Sequence, residues 1–119
     1  MAVTIMLPTL PVMADAVGTF EEAVVQYGEQ AGNYTYDITA AGEQTKEVIL
    51  FGNAKGVTYT ETHIREEANA TSRSLLVVPS NTNVSVWGVT ANGWTKVFYE
   101  DEQGSVFFGY IRSDLLELA

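Results

Sequence analysis

The sequence predicts a mainly β protein whose C-terminal half forms a small five-stranded barrel. Three observations support this fold class. From residue 57 onward, five apolar or alternating segments follow one another at roughly ten-residue spacing, which is typical of small barrels and sandwiches. The segments between them are rich in Asn, Asp, Gly, Ser and Pro, which tight turns select. A chain of 119 residues with 46% hydrophobic content buries one modest core rather than two large ones. We expect an apolar arm at residues 1–18, an extension at 19–56 and the barrel at 57–119.

The arm reads "AVTIMLPTLPVMADA" and allows three interpretations. It is a secretion signal whose start is truncated, a strand packed on its own domain, or a strand donated to a neighbouring molecule. The step "ADA" resembles a signal-peptidase site, but no basic residue precedes it. The apolar run is shorter than the roughly 20 residues that a membrane-spanning helix needs, so no membrane span is expected.

The alternation within the arm suits an edge strand. Val3, Ile5 and Leu7 fall on one side of an extended chain, while Pro8 and Pro11 remove two backbone donors and exclude a central strand. If this row inserts into a neighbour, residues 2–13 would form a homo-oligomer by β-strand addition, as in pilus assembly.

The extension is predicted to contain a short helix and a β-hairpin. Thr19 and Glu22 fit a capping box, and apolar residues at helical spacing follow, which predicts a helix over residues 20–30. "NYTYDIT" alternates like a half-buried strand, "AAGEQ" is a turn, and "KEVILF" at residues 46–51 is the second strand. "GNAKG" reads as a flexible joint, so the module boundary is placed near residue 56.

The barrel strands are predicted from their alternation and β-branched content. They are "VTYTETHIR", "RSLLVV", "NVSVWG", "WTKVFY" and "SVFFGYI". The predicted core residues are Leu76, Val84, Val86, Val97 and Val106.

The order of short motifs resembles the bacterial SH3-like (SH3b) domains. The matching steps are "HIR" at residues 63–65, "NGW" at 92–94 followed by "KV", and "GYI" at 109–111 followed by "SDLL". The resemblance covers residues 57–118. The chain departs from the pattern at "EEANAT" and "PSNTN", where the family usually has a Gly-Pro turn and a Gly. The resemblance implies an SH3-like barrel that binds cell-wall peptidoglycan or its cross-bridge peptides.

Two interpretations of the aromatic residues remain open. Trp94 and Phe98 share one face of their predicted strand, and in the first interpretation these rings cap the open end of the barrel or pack under residues 1–56. In the second interpretation Trp94 and Tyr110, together with Tyr59, line a ligand groove. Under the second interpretation, an aromatic shelf holds a sugar or peptide. The candidate ligand-binding residues are Tyr59, Arg65, Trp87, Trp94 and Tyr110.

Charge and composition argue against several other classes of function. A formal charge of −9 without a basic cluster disfavours nucleic-acid partners. The sole histidine, His63, shares its strand face with Glu61 and Arg65, and a fixed positive charge makes a poor metal site. The chain has no cysteine and no phosphate-binding glycine loop. We therefore expect neither catalysis, nor a cofactor, nor a metal.

Two functions remain as hypotheses. The first is a non-catalytic binding module of an exported bacterial protein, located outside the cell or on its surface, that holds peptidoglycan or peptide. The alternative is a structural subunit of a cell-surface or extracellular assembly that polymerises by donating its N-terminal strand.

Overall fold

A computed structural model describes residues 19–25 and 35–118, which form one antiparallel sheet of eight strands and one short helix. The prediction of a mainly β protein is confirmed. Helix α1 covers residues 20–25. The strands are β1 Thr35–Ala40, β2 Glu43–Thr58, β3 Thr62–Arg65, β4 Ser74–Val78, β5 Asn83–Thr90, β6 Trp94–Glu100, β7 Val106–Arg112 and β8 Leu116–Leu118. A 3-10 turn, Ser113–Leu115, separates β7 from β8.

Helix α1 begins with the predicted capping box. The Thr19 amide donates to the Glu22 carboxylate at 2.9 Å, and the Glu22 amide donates to the Thr19 hydroxyl at 3.1 Å. Ala23 is buried in the main core, and Phe20 packs against it. The predicted continuation to residue 30 lies outside the described residues, as does the arm with Val3, Ile5 and Leu7. Within the described ranges, no helix has the length and apolarity needed to cross a membrane.

The sheet runs in the order β1-β2-β5-β6-β7-β3-β4, and β8 pairs with β2. Among the described strands, the two ends of this path do not pair with each other, so the sheet is open. The link between β7 and β3 is a single residue pair, Tyr110 with Arg65. The mainly β fold is therefore established, whereas the closed five-stranded barrel stays a prediction.

Strand β2 passes through the segment that the sequence suggested was a joint. Its 16 residues include "GNAKG", and it pairs with β5 on both sides of a register shift between Ile49 and Ala54. A bulge accommodates extra residues without ending the strand, and glycines are common at such points. The flexible joint is thus replaced by continuous strand, and the boundary near residue 56 stays a prediction.

The main core lies on one face of the sheet. The predicted core positions Val84, Val86 and Val97 are buried there, and Leu76 packs against them with partial exposure. The prediction for Val106 is wrong, since this side chain is 52% exposed. On β7 the buried positions are Gly109 and Ile111, and Val106 has the opposite parity, which turns it away from the core.

Gly109 lies where β7 passes close to β3. A Cβ atom at this position would lie 2.6 Å from the Arg65 carbonyl oxygen and 2.6 Å from Ile64 Cγ2. Both distances are far inside van der Waals contact, and one of the obstacles is backbone. The strands therefore pack together here because residue 109 has no side chain.

Candidate functional site

The face of β5, β6 and β7 opposite the core carries most of the predicted site residues. On β6, Thr95 and Val97 point into the protein, so Trp94, Lys96 and Phe98 lie on the other face. Pairing across the sheet brings further residues of β5, β7 and β2 beside them. We call this surface the outer face, and its three parts differ in exposure and chemistry.

One end of the outer face carries an aromatic patch formed by Trp87, Phe98 and Phe108. Phe98 and Phe108 are direct partners across β6 and β7, with ring centroids 5.1 Å apart and an interplanar angle of 65°. Trp87 lies at the register shift in β5 and meets Phe108 edge to face at 5.8 Å and 77°. Both geometries are ones that aromatic pairs prefer. Phe108 remains 50% exposed, so the patch presents to solvent a ring whose orientation is fixed by contacts with Trp87 and Phe98.

The Trp87 indole nitrogen is buried without a hydrogen-bond acceptor among the described residues. Buried polar groups are nearly always paired, because an unpaired donor costs about 1–3 kcal/mol. Trp87 therefore contributes its ring to the patch, while its N–H gains no hydrogen bond in return.

The centre of the outer face is a polar cluster of Glu47, Lys96 and Tyr110. Glu47 is only 2% exposed, and its Oε1 accepts a 2.8 Å hydrogen bond from the Tyr110 hydroxyl. Lys96 Nζ lies 3.5 Å from Oε2, close enough for an ion pair although no hydrogen bond forms. Burial, followed by the Glu47 charge, raises the pKa of Tyr110 well above its usual range. The tyrosine therefore stays a neutral hydrogen-bond donor to the buried carboxylate.

Gly88 makes room for the Glu47 carboxylate. A Cβ atom on residue 88 would lie 2.6 Å from Oε2 and 3.0 Å from the Val48 carbonyl oxygen. The missing side chain leaves room for the carboxylate beside β5, where Lys96 contacts it from β6 and Tyr110 from β7. Because Glu47 belongs to β2, this cluster ties the predicted extension to the predicted barrel.

The other end of the outer face is covered at Trp94. This ring is only 8% exposed and packs with Ala40, Ala68 and Tyr110. Ala40 ends β1, and Ala68 belongs to the loop between β3 and β4. Two hydrogen bonds hold these covering segments: the Ala41 amide donates to the Glu67 carboxylate, and Asn92 Nδ2 donates to the Ala68 carbonyl at 2.8 Å.

An open groove of about 740 Å³ lies beyond Trp94. One wall contains Arg112 and Asp114, which form a two-point ion pair with contacts of 3.1 and 2.7 Å. The lining residues are Thr19, Glu22, Ala68, Asn69, Ala70, Asn92, Gly93, Trp94, Arg112, Ser113 and Asp114. The groove is therefore lined by α1, by the β3–β4 loop and by the start of β6.

The five predicted ligand-binding residues do not form a single shelf. Trp94 and Tyr110 share the covered cluster, whereas Trp87 belongs to the aromatic patch. Arg65 is paired with Tyr110 across β3 and β7, and its guanidinium donates to the Ser72 carbonyl at 2.8 Å. Tyr59 lies at the bend after β2 and is 44% exposed. Whether any of them binds a ligand stays a prediction.

The sequence interpretation left Phe98 and Phe108 out of the site. Their shared signal is parity, since Phe98 lies on the same strand face as Trp94, and Phe108 lies on the same strand face as Tyr110. Phe98 and Phe108 are partners because of the β6–β7 register. The length of the turn between two strands sets the register of a hairpin, so predicting that turn would have predicted this pair.

Comparisons with known proteins identify no relative of this chain: no protein-family model, no curated protein and no solved structure matches it.

Proposed function

We propose that the protein is a non-catalytic binding module of an exported bacterial protein, and that its aromatic patch holds cell-wall peptidoglycan or peptide. In this proposal residues 57–118 form the SH3-like barrel that their motifs resemble, with the patch on its surface. The observation that carries the proposal is Phe108, whose ring is half exposed yet fixed by edge-to-face contacts with Trp87 and Phe98.

The chemistry of the patch suits sugar rings and peptide side chains. An exposed aromatic face stacks on the apolar face of a sugar or on a flat peptide group, and a ring already held in place loses little freedom on binding. Val106 is 52% exposed on the same side of β7 and extends the apolar area. Glu100 is the β6 partner of Val106 and, with the net charge of −9, favours ligands that carry amino groups.

Retention on purified peptidoglycan sacculi tests this proposal. Phe108→Ala should weaken retention about tenfold, which corresponds to the roughly 1.4 kcal/mol that a stacking contact can supply. The matched control is Tyr36→Ala on β1, because Tyr36 is an aromatic of similar exposure, 53%, away from the patch. Circular dichroism should show that both variants keep the β fold.

Soluble ligands then separate the two ligand classes. The protein is titrated with glycan oligosaccharides and, separately, with cross-bridge peptides. The chemical shift of the Trp87 indole N–H, measured during each titration, identifies which component binds. If the parent protein binds neither sacculi nor fragments, the proposed function is wrong. Equal retention of Phe108→Ala and the parent protein would instead place the ligand elsewhere.

A further inference from the structure

Strand β6 presents three different kinds of side chain in a row on the outer face. Lys96, Phe98 and Glu100 alternate along the strand, so they share this face. Their partners on β7, in an unbroken register, are Tyr110, Phe108 and Val106. A cation, an aromatic group and an anion therefore follow one another, and the first and third positions lie about 14 Å apart along the strand.

Lys96, at one end of the row, can take a further partner. Its side chain is 34% exposed, and the Glu47 carboxylate that it meets at 3.5 Å is buried and accepts no hydrogen bond from it. An ammonium group has three hydrogens to donate. A carboxylate that lies on the outer face can therefore bind Lys96 while Glu47 holds the same amine from within the sheet.

Glu100, at the other end of the row, is exposed and forms no ion pair with any described residue. The turn that follows it is well fixed. Asp101 Oδ1 accepts hydrogen bonds from the amides of Gln103 and Ser105, at 3.0 and 2.8 Å. The Asp101 amide donates to the Ser105 carbonyl at 2.9 Å. The hairpin therefore holds the backbone of Glu100 at a constant distance from the aromatic patch.

We propose that the outer face takes a short extended peptide with free ends, its carboxylate at Lys96, its amino group at Glu100 and an apolar side chain over Phe108. This inference rests on the proposed function, and it names the class of ligand and its direction, antiparallel to β6. Four residues of extended chain span about 14 Å, which matches the spacing of the two charges. An N-acetylated glycan has no pair of opposite charges to match them.

A second lysine on the outer face, Lys55, lies beside the row and not at its end. Lys55 pairs with Ser85, and Ser85 pairs with Phe98. It is therefore level with the aromatic patch and two strands away from β6, at about 10 Å. A ligand carboxylate at Lys55 would place the peptide across the strands, so this lysine distinguishes the two directions of binding.

Titration of the unaltered protein with one peptide in several forms tests the proposal. The probe is Ala-Leu-Leu-Ala with free ends, compared with its N-acetylated, C-amidated and doubly capped forms. Binding is followed by the amide chemical shifts of Phe98 and Phe108. We expect each cap to weaken binding about threefold, as for an exposed ion pair, and both caps together to weaken it about tenfold.

Charge variants then assign each end of the peptide. Lys96→Gln should remove the preference for the free carboxylate and keep the preference for the free amino group, and Glu100→Gln should do the reverse. Lys96→Arg keeps the charge and should keep both preferences. The matched controls are Lys55→Gln and Glu102→Gln, which remove exposed charges outside the row and should also keep both preferences.

The failure of this inference differs from the failure of the proposed function. If Phe108→Ala weakens retention on sacculi while free and capped peptides bind equally well, the patch binds and the assigned peptide ends are wrong. Loss of the carboxylate preference in Lys55→Gln, with Lys96→Gln unchanged, would overturn the direction. If the unaltered protein binds neither sacculi nor peptide, both the proposed function and this inference are wrong.

Discussion

The two ends of the outer face are built from similar residues but differ in exposure. Trp94 and Phe98 lie four residues apart on the same side of β6, yet Trp94 is 8% exposed while Phe108, the partner of Phe98, is 50% exposed. Trp94 is covered by Ala40 and Ala68, from two segments remote in sequence. At the other end Phe108 is half exposed, although Trp87 and Phe98 beside it are partly buried. Strand alternation therefore decides which face a ring occupies, and the loops above that face decide whether the ring serves packing or binding.

Removing one ring from each end should give unequal losses of stability. Trp94→Ala removes a large buried side chain and should lower the free energy of unfolding by about 3–5 kcal/mol. Phe108→Ala truncates an exposed ring and should cost about 1 kcal/mol or less. Urea denaturation of both variants measures the difference. Equal losses would mean that the aromatic patch is also buried in solution and would remove the contrast between the two ends.

Because of the polar cluster between the two ends, the free energy of unfolding should fall as the pH rises into the alkaline range. The pKa of Tyr110 is raised in the folded protein by burial and by the Glu47 charge, so the folded state holds this proton more tightly than the unfolded state does. This contribution is complete below pH about 10, the ordinary tyrosine value, and is lost as pH rises above it.

Tyr110→Phe tests that dependence. We expect a loss of about 1.5–3 kcal/mol at neutral pH, because the buried Glu47 carboxylate loses its hydroxyl donor, and a shallower decline in stability above pH 10. Tyr36→Phe, at an exposed tyrosine, should keep the wild-type profile. Denaturation midpoints between pH 7 and 11 decide the matter, and parallel profiles for the two variants would contradict the role assigned to Tyr110.

The smallest effect is expected at Trp87. Trp87→Phe keeps an aromatic ring but removes the indole N–H that has no acceptor, so the unfolding free energy should change by less than about 1 kcal/mol. Trp87→Ala is the comparison, and it should cost more because Phe108 loses its edge-to-face partner. Thermal melts of the two variants measure the difference. A loss in Trp87→Phe as large as in Trp87→Ala would show that the N–H is paired in solution.

Local features were predictable from the sequence, and features that depend on distant pairing were not. The Thr19–Glu22 capping box involves residues three apart and was confirmed. The inward parity of Val84, Val86 and Val97 also held, because alternation is a property of each strand. The prediction for Val106 was wrong because β7 buries Gly109 and Ile111, whose parity is opposite to that of Val106.

The candidate site was harder to predict for the same reason. The bond from Tyr110 to Glu47 joins residues 63 positions apart, so no local pattern reveals it. The sequence interpretation grouped Trp87 with Trp94 and Tyr110 as candidate ligand-binding residues, but Trp87 lies at the β5–β6 register shift and contacts Phe108, which packs against Phe98. The continuation of β2 through "GNAKG" likewise depends on β5, which lies about thirty residues later along the chain.

Gly88 and Gly109 also bear on how this protein tolerates change over evolutionary time. A methyl group at residue 109 would collide with the Arg65 backbone, and one at residue 88 would collide with the Glu47 carboxylate, so even alanine requires a neighbour to shift at either position. We expect distant descendants of the same ancestor to retain an acid on the second strand and glycines on the fifth and seventh. A search profile weighted on those three positions would detect such kinship where overall identity has faded.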